Sequence, residues 1–150
     1  MARHKIRFAF PAKLTRDRQS GGFTVSFCDL PEALTAGDDR AEALEQAVDC
    51  LDEAIAGRIA DDEEIPIPSV AKRGEALISL GARMAAKAVL HMALAESGMS
   101  QRKFARHIGA DEKEVRRLLD PRHPSKIDRL AEVLEALDWR MTITFEKTAA

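Results

Sequence analysis

Residues 100 to 119 read SQRKFARHIGADEKEVRRLL, and the spacing within them predicts a helix-turn-helix. Ala105 is small where two helices must approach closely, Gly109 follows four residues later at the turn, and Val115 stands six residues beyond it on the second helix. Helices crossing steeply over a three- or four-residue turn need a small residue at the crossing and one tolerant of positive φ at the turn. Phe104, Ile108, Ala110 and Leu118 complete the apolar seam. Ser100 is placed to cap the first helix. Asp111 is placed to cap the second, with Glu114 three residues on in the spacing of a capping box.

The same periodicity turns Glu112, Lys113, Arg116 and Arg117 outward, where a second helix meets the DNA major groove and Arg and Lys read guanine edges or hold phosphates. With Ser100, Gln101 and Arg102 at the start of the first helix and Arg122 beyond the second, these form the expected DNA-binding set. Glu112 and Glu114 favour the helix dipole but repel phosphate. Glu112 either accepts from a cytosine amino group or is simply solvated. His107 and His123 flank the region and are read as ordinary surface or partly buried residues. Residues 98–126 hold eight Lys or Arg against four acids, a modest net +4, so tight operator binding is expected to need dimerisation or a bridging partner.

Outward from this stretch, residues 82–150 read as one domain. Met84, Ala85, Ala88, Val89, Met92 and Ala95 mark a helix ending at Ser97-Gly98. After DPRHPS, Ser125 is placed as the cap of a further helix, with Asp128 three residues on and a stripe of Ile127, Leu130, Ala131, Leu134 and Leu137. WRMTITF then alternates Trp139, Met141, Ile143 and Phe145 against polar residues, which predicts a terminal strand. A lone strand leaves backbone groups unsatisfied, so these four residues are expected to pair with a second copy in a homodimer or higher oligomer.

Residues 1–81 read as a β-β-β-α-β unit. Ile6, Phe8 and Phe10 alternate with Lys5, Arg7 and Ala9, and Phe23, Val25 and Phe27 with Thr24, Ser26 and Cys28. DRQSGG makes the pair a hairpin, and Asp29, Pro31 and Gly37 bracket a short strand near Ala33–Ala36. From Asp39, the stripe Leu44, Ala47, Val48, Leu51 and Ile55 predicts an amphipathic helix stopping at Gly57. The run DDEE at 61–64 and the prolines of IPIPS predict an extended link. Ala76, Ile78 and Leu80 predict a fourth strand that Gly81 ends.

The net charge of −2 conceals an asymmetry. Residues 1–70 carry 8 Lys or Arg against 14 Asp or Glu, net −6, while residues 71–150 carry 15 against 11, net +4. Two halves of opposite sign imply two partners of opposite sign. Cys28 and Cys50 lack the spacing of a zinc site or a disulfide framework and are read as buried reduced thiols. Nothing approaches the roughly 18 apolar residues of a membrane span, and MARHKIRFAF has no long apolar signal core, so the expected location is the cytoplasm, away from membranes.

Taken in order, FTVSFCDLPEALTAGDDRAEALEQAVDCL, IPIPS, MAAKAVL and RRLLDPRHPSKIDRL resemble the HicB antitoxin family, in its version with a C-terminal helix-turn-helix. The resemblance runs from about Ile6 to Phe145. It implies an α+β protein whose first domain is a partial RNase H-like fold that binds HicA, a small basic toxin that cleaves mRNA. Its second domain is then an all-α, Cro/repressor-like helix-turn-helix with a terminal strand that binds the operator, double-stranded DNA of its own operon. The family's strands commonly carry a tyrosine and a glycine after the DLP turn; this chain has no tyrosine and has Glu32-Ala33 there. An acidic domain suits a partner that grips RNA through a positive surface. Asp61, Asp62, Glu63 and Glu64, with Glu42, Glu45, Asp49 and Asp52, are the candidate toxin contacts.

No enzyme is expected. Two-metal nucleases need carboxylates converging on ions about 4 Å apart, yet residues 2–16 hold no Asp or Glu, and Asp29, Asp38 and Asp39 fall in turns. His4, His91, His107 and His123 are scattered, and no catalytic triad or phosphate loop appears, so no catalytic residue, metal or cofactor is assigned. The alternative reading is a free-standing transcription regulator whose apolar β half senses a small ligand.

Overall fold

Period-two alternation folds into a four-stranded sheet in the computed structural model, which describes residues 4–148. Strands β1 (Ala9–Arg16), β2 (Phe23–Phe27), β3 (Leu34–Gly37) and β4 (Ala76–Ser79) lie in the order β3-β2-β1-β4, every neighbouring pair antiparallel. The hairpin between β1 and β2 falls on DRQSGG as expected: Asp17 accepts from the Gln19 and Ser20 side of the turn, and Gly21 takes φ 76°. These hydrogen bonds hold the Asp17 carboxyl below the usual carboxylate range. One boundary moves. The inward alternation of Phe8 and Phe10 continues through Ala12 and Leu14, so β1 runs on to Arg16, beyond the apolar stretch at Lys5–Phe10 that announced it.

Helix α1 (Arg40–Ala60) is capped by Asp39, whose side chain accepts from the Glu42 N–H at 2.8 Å. Ala43, Ala47, Leu51 and Ile55 bury one row of α1 against Phe10, Ala12, Val25, Phe27 and Ile78. Each large member of such a core contributes about 1.5–3 kcal/mol. The expected stripe was broader than this row: Leu44 is half-buried, and Val48 is 45% exposed. Nor does α1 stop at Gly57. It runs one turn further because Ala56 and Ile59 are buried, and it ends where Asp62 takes φ 54°. The extended link then brings the chain back for β4 to run antiparallel to β1.

Gly81 precedes α2 (Ala82–Ser97), which is apolar on two sides. Met84, Ala85, Ala88, Val89 and Met92, the stripe read from sequence, pack on the sheet-and-α1 core. Ala86, Leu90 and Ala93 bury the other side, the first two in a second core with Phe104, Val115, Leu118, Leu130, Val133 and Leu134. Val89 touches both cores, while Ala95 is exposed. Helices α3 (Gln101–Ile108), α4 (Glu112–Leu119) and α5 (Ile127–Glu135) follow. No helix among the described residues is long and apolar enough to cross a membrane.

Three expectations change here. Ser125 does not cap α5, whose N-cap residue Lys126 makes no side-chain cap bond; the Ser125 hydroxyl is engaged elsewhere. Cys28 is exposed rather than buried, being the outward residue after Phe27, and Cys50 is half-buried, which raises its thiol pKa. Residues 139–148 form no strand pairing within the described chain. Trp139 and Met141 are half-buried against the second core, whereas Ile143 and Phe145 are 61% and 91% exposed.

Candidate functional site

Local chemistry sets the α3–turn–α4 unit. The Ser100 hydroxyl accepts from the Lys103 N–H at 3.1 Å, and the Asp111 carboxylate accepts from the Glu114 N–H at 2.7 Å. Gly109 adopts φ 66°, the left-handed conformation the turn requires, and the Ala110 N–H closes on the Ala105 carbonyl at 2.9 Å. Phe104, Ala105, Val115 and Leu118 are buried, with Ile108 and Ala110 half-buried beside them, which is the seam read from the spacing.

The outward set is only partly one surface. Gln101, Arg102, Lys113, Arg116 and Arg117 are all exposed, as are Ser100 and Glu112. Arg102 faces Glu112 across the turn at 3.8 Å, so that acid is partly neutralised. Glu114 turns away from the outer face: its carboxylate accepts from Arg129 of α5 at 2.6 Å, and it does not reach back to close a capping box. Glu114, with Glu132, holds the Arg129 guanidinium above its ordinary pKa. Lys113, Arg116 and Arg117 are left with no ion pair among the described residues. Arg122 stands apart from them, its guanidinium donating to Glu53 of α1 at 2.7 Å.

Beneath this surface lies a residue that the sequence reading passed over. Lys87 of α2 is 2% exposed, and its ammonium donates to the Arg117 carbonyl at 3.0 Å, the Asp120 carbonyl at 2.5 Å and the Ser125 hydroxyl at 3.0 Å. Burial pushes its pKa down to about 8, against the pull of Asp120, so at neutral pH the proton stays and all three donors are used. The cation also meets the carbonyl end of α4, where the helix dipole favours positive charge. A lysine flanked by two alanines in an apolar helix was the only available signal.

The acidic surface is built on α1 and the link after it. Asp61, Asp62, Glu63 and Glu64 are exposed, while their backbone is pinned: the Glu64 carbonyl accepts from Arg58 at 2.9 Å and the Glu63 carbonyl lies 2.9 Å from His91 Nε2. On α1, burial and the neighbouring Asp49 and Glu53 charges raise the Asp52 pKa, in that order. Glu42 accepts from the Asp38 N–H, and Glu45 and Asp49 are exposed. Glu32, at the position that departs from the usual DLP turn, forms a two-pronged pair with Arg58 at 2.5 and 3.1 Å. The Ala33 N–H bonds the Leu30 carbonyl beside it at 2.9 Å and closes the turn. Arg58 holds the Glu32 carboxyl below its ordinary value. The stability it contributes is therefore present above pH 4.5 and lost as pH falls through the lowered value. Glu32→Gln should cost no more than about 1 kcal/mol at neutral pH, because the pair is partly exposed. Urea titrations of both proteins should converge in acid.

The carboxylates considered for catalysis serve the turns. Asp29 accepts from the Ser69 N–H and hydroxyl at 2.9 and 3.0 Å, and Asp39 caps α1. Among the described residues no three His, Cys, Asp or Glu side chains are grouped to hold a metal. His107 and His123 contact the Ala136 carbonyl and the Ser125 hydroxyl. The inner face of the sheet is filled by α1. A surface cleft of about 280 Å³ is an open groove between Ile6, Ala9, Ile67, Val70 and Leu77.

Residues 9–89 match a family model described as a HicB-like antitoxin of bacterial toxin–antitoxin systems. The chain is 38% identical over 128 residues to Antitoxin HicB 1 of Photorhabdus laumondii, covering 85% of this chain and 81% of that protein. It is 37% identical over 134 residues to Antitoxin HicB of Escherichia coli K12, covering 89% and 96%. Against Antitoxin HicB of Pseudomonas fluorescens Pf0-1 the figures are 33% over 138 residues, covering 91% and 94%.

Proposed function

The chain belongs to the HicB-like antitoxin family, and from that premise we propose that it binds and neutralises a small basic, mRNA-cleaving HicA-like toxin and represses its own operon through α3 and α4. The observation that carries this reading is the division of surfaces. One half presents the exposed carboxylates of Asp61, Asp62, Glu63 and Glu64, and the other presents Lys113, Arg116 and Arg117 without ion-pair partners among the described residues. Carboxylates attract and orient a cationic RNA-binding protein. The occluding face belongs to residues 1–81, which the resemblance to the family makes a partial RNase H-like domain, a reading supported by their β-β-β-α-β order. Residues 82–150 form the Cro-like reader.

The reader acts as a dimer. Ile143 and Phe145 lie exposed on a segment of alternating pattern, and Trp139 and Met141 anchor its start, so the same segment of a second copy completes the strand pair. Two such readers recognise half-sites about one DNA turn apart. A monodisperse monomer at micromolar concentration would exclude this assembly.

Arg116→Ala or Arg117→Ala should weaken operator binding by about 1–3 kcal/mol where the arginine reads a base, and should flatten the salt dependence by about one unit where it holds a phosphate. Growth rescue against the toxin should persist in both. Unchanged binding across a range of salt would remove α4 from the groove. Co-expression with the product of the adjacent small reading frame tests the whole reading: growth rescue and co-purification are expected, and neither would appear for a free-standing regulator.

A further inference from the structure

Lys87, Arg83 and Ser125 form a polar clamp between α2 and the segment that follows α4. The Lys87 ammonium places its three N–H groups on the Arg117 carbonyl, the Asp120 carbonyl and the Ser125 hydroxyl. One turn earlier on the same helix, Arg83 Nε donates to the Ser125 carbonyl at 2.9 Å. Ser125 Oγ lies within 3.3 Å of the Arg117 carbonyl and 3.1 Å of His123 Nδ1, so the hydroxyl joins both ends of the segment. The other side of α2 is held in the sheet-and-α1 core by Ala88, Met84 and Val89.

We infer that Lys87 is the positioning residue for DNA recognition: it fixes the C-terminal end of α4 to α2, and through α2 to the acidic half, without itself touching DNA. This rests on the DNA-binding reading of α3 and α4 and names what sets their pose. Van der Waals contacts between apolar side chains tolerate small rotations of α4 about its axis. Three convergent hydrogen bonds from one buried cation do not. Arg116 and Arg117 sit on the last turn of α4, next to the carbonyls that the ammonium holds. A slip at that end moves both guanidinium groups relative to the groove, and base readout is lost with displacements of about 1 Å.

The test uses the full-length protein and Lys87→Met, which keeps the length and packing of the stem and removes the cation. Binding is measured by titrating a fluorescent duplex from upstream of the gene, and a scrambled duplex of equal length, across a range of salt. The variant should bind the upstream duplex at least about tenfold more weakly at equal folded concentration. Its affinity for the scrambled duplex and the slope of log K against log salt should match wild type, because no phosphate contact has been removed. Toxin neutralisation should be unchanged. Ser125→Ala should shift binding in the same direction, and the double variant should lose less than the two losses combined.

Wild-type affinity for the upstream duplex in the folded variant overturns the inference. So does an equal loss on both duplexes, which would mean a purely structural role, or a flattened salt slope, which would mean direct contact. Should Lys87→Met fail to fold, Ser125→Ala decides by the same criteria. Failure of the wild-type protein to prefer the upstream duplex would overturn the DNA-binding reading and this inference together, whereas a change confined to the variants bears on Lys87 alone.

Discussion

Gly37→Ala should destabilise the protein by about 3 kcal/mol or more, lowering the thermal midpoint by roughly 10 °C. A methyl group at this position would lie 2.3 Å from the Ala43 nitrogen, 2.7 Å from its α-carbon and 2.8 Å from the Glu42 carbonyl carbon. All three are backbone atoms in the first turn of α1, so no rotamer change relieves the contact. Either β3 separates from α1 or the helix loses its first turn together with the Asp39 cap. The φ at Gly37 is not in the left-handed region; the glycine serves close approach. Urea unfolding at pH 7 measures the loss. A change below 1 kcal/mol would mean that β3 and α1 are free to move apart.

Phe104→Ala should cost about 3–5 kcal/mol. The ring is fully buried, in a core with Ala86, Leu90, Val115, Leu118 and Leu130, so its removal leaves a cavity among α2, α3, α4 and α5. Against a total stability of typically 5–15 kcal/mol, that is a large fraction. Phe104→Leu should recover most of the stability. A shift in urea midpoint equivalent to less than 1 kcal/mol would show that the seam does not pack around this ring.

Features settled within a few residues of chain were legible before any coordinates. The Ser100 and Asp111 caps and the hairpin at DRQSGG each depend on a side chain bonding its near neighbours, and the Gly109 turn on a positive φ that glycine adopts freely, so spacing alone specifies them. Where a distant partner competes for the same atom, local reasoning chose the wrong bond. Ser125 and Asp128 have the spacing of a cap, but the hydroxyl goes to Lys87, 38 residues away. Glu114 has the spacing of a capping box, but Arg129 takes its carboxylate.

Other misses came from elements with more than one neighbour. The extra turn of α1 past Gly57 and the second apolar side of α2 both follow from packing that one periodic stripe does not encode. The charged residues Lys13 and Arg16 masked the far end of β1, which they leave on its exposed positions. Among the candidate contacts, Lys113, Arg116 and Arg117 read from helical periodicity do share an exposed face. Arg122 does not stand free, because Glu53 lies 69 positions earlier in the chain.

Helix α2 has one more consequence, for how such a protein can be divided or recombined. Gly81 looks like a seam in the sequence, and the family match ends at residue 89, midway along the helix. Neither point is a clean cut. Severing at 81 strips Met84, Ala88 and Val89 from the first core, and severing after Ser97 strips Ala86 and Leu90 from the second. Exchanging the C-terminal helices for another set therefore requires α2 to be recut on one side while the other is kept. The helix is common property of two folding units, and inheritance of either unit constrains the other.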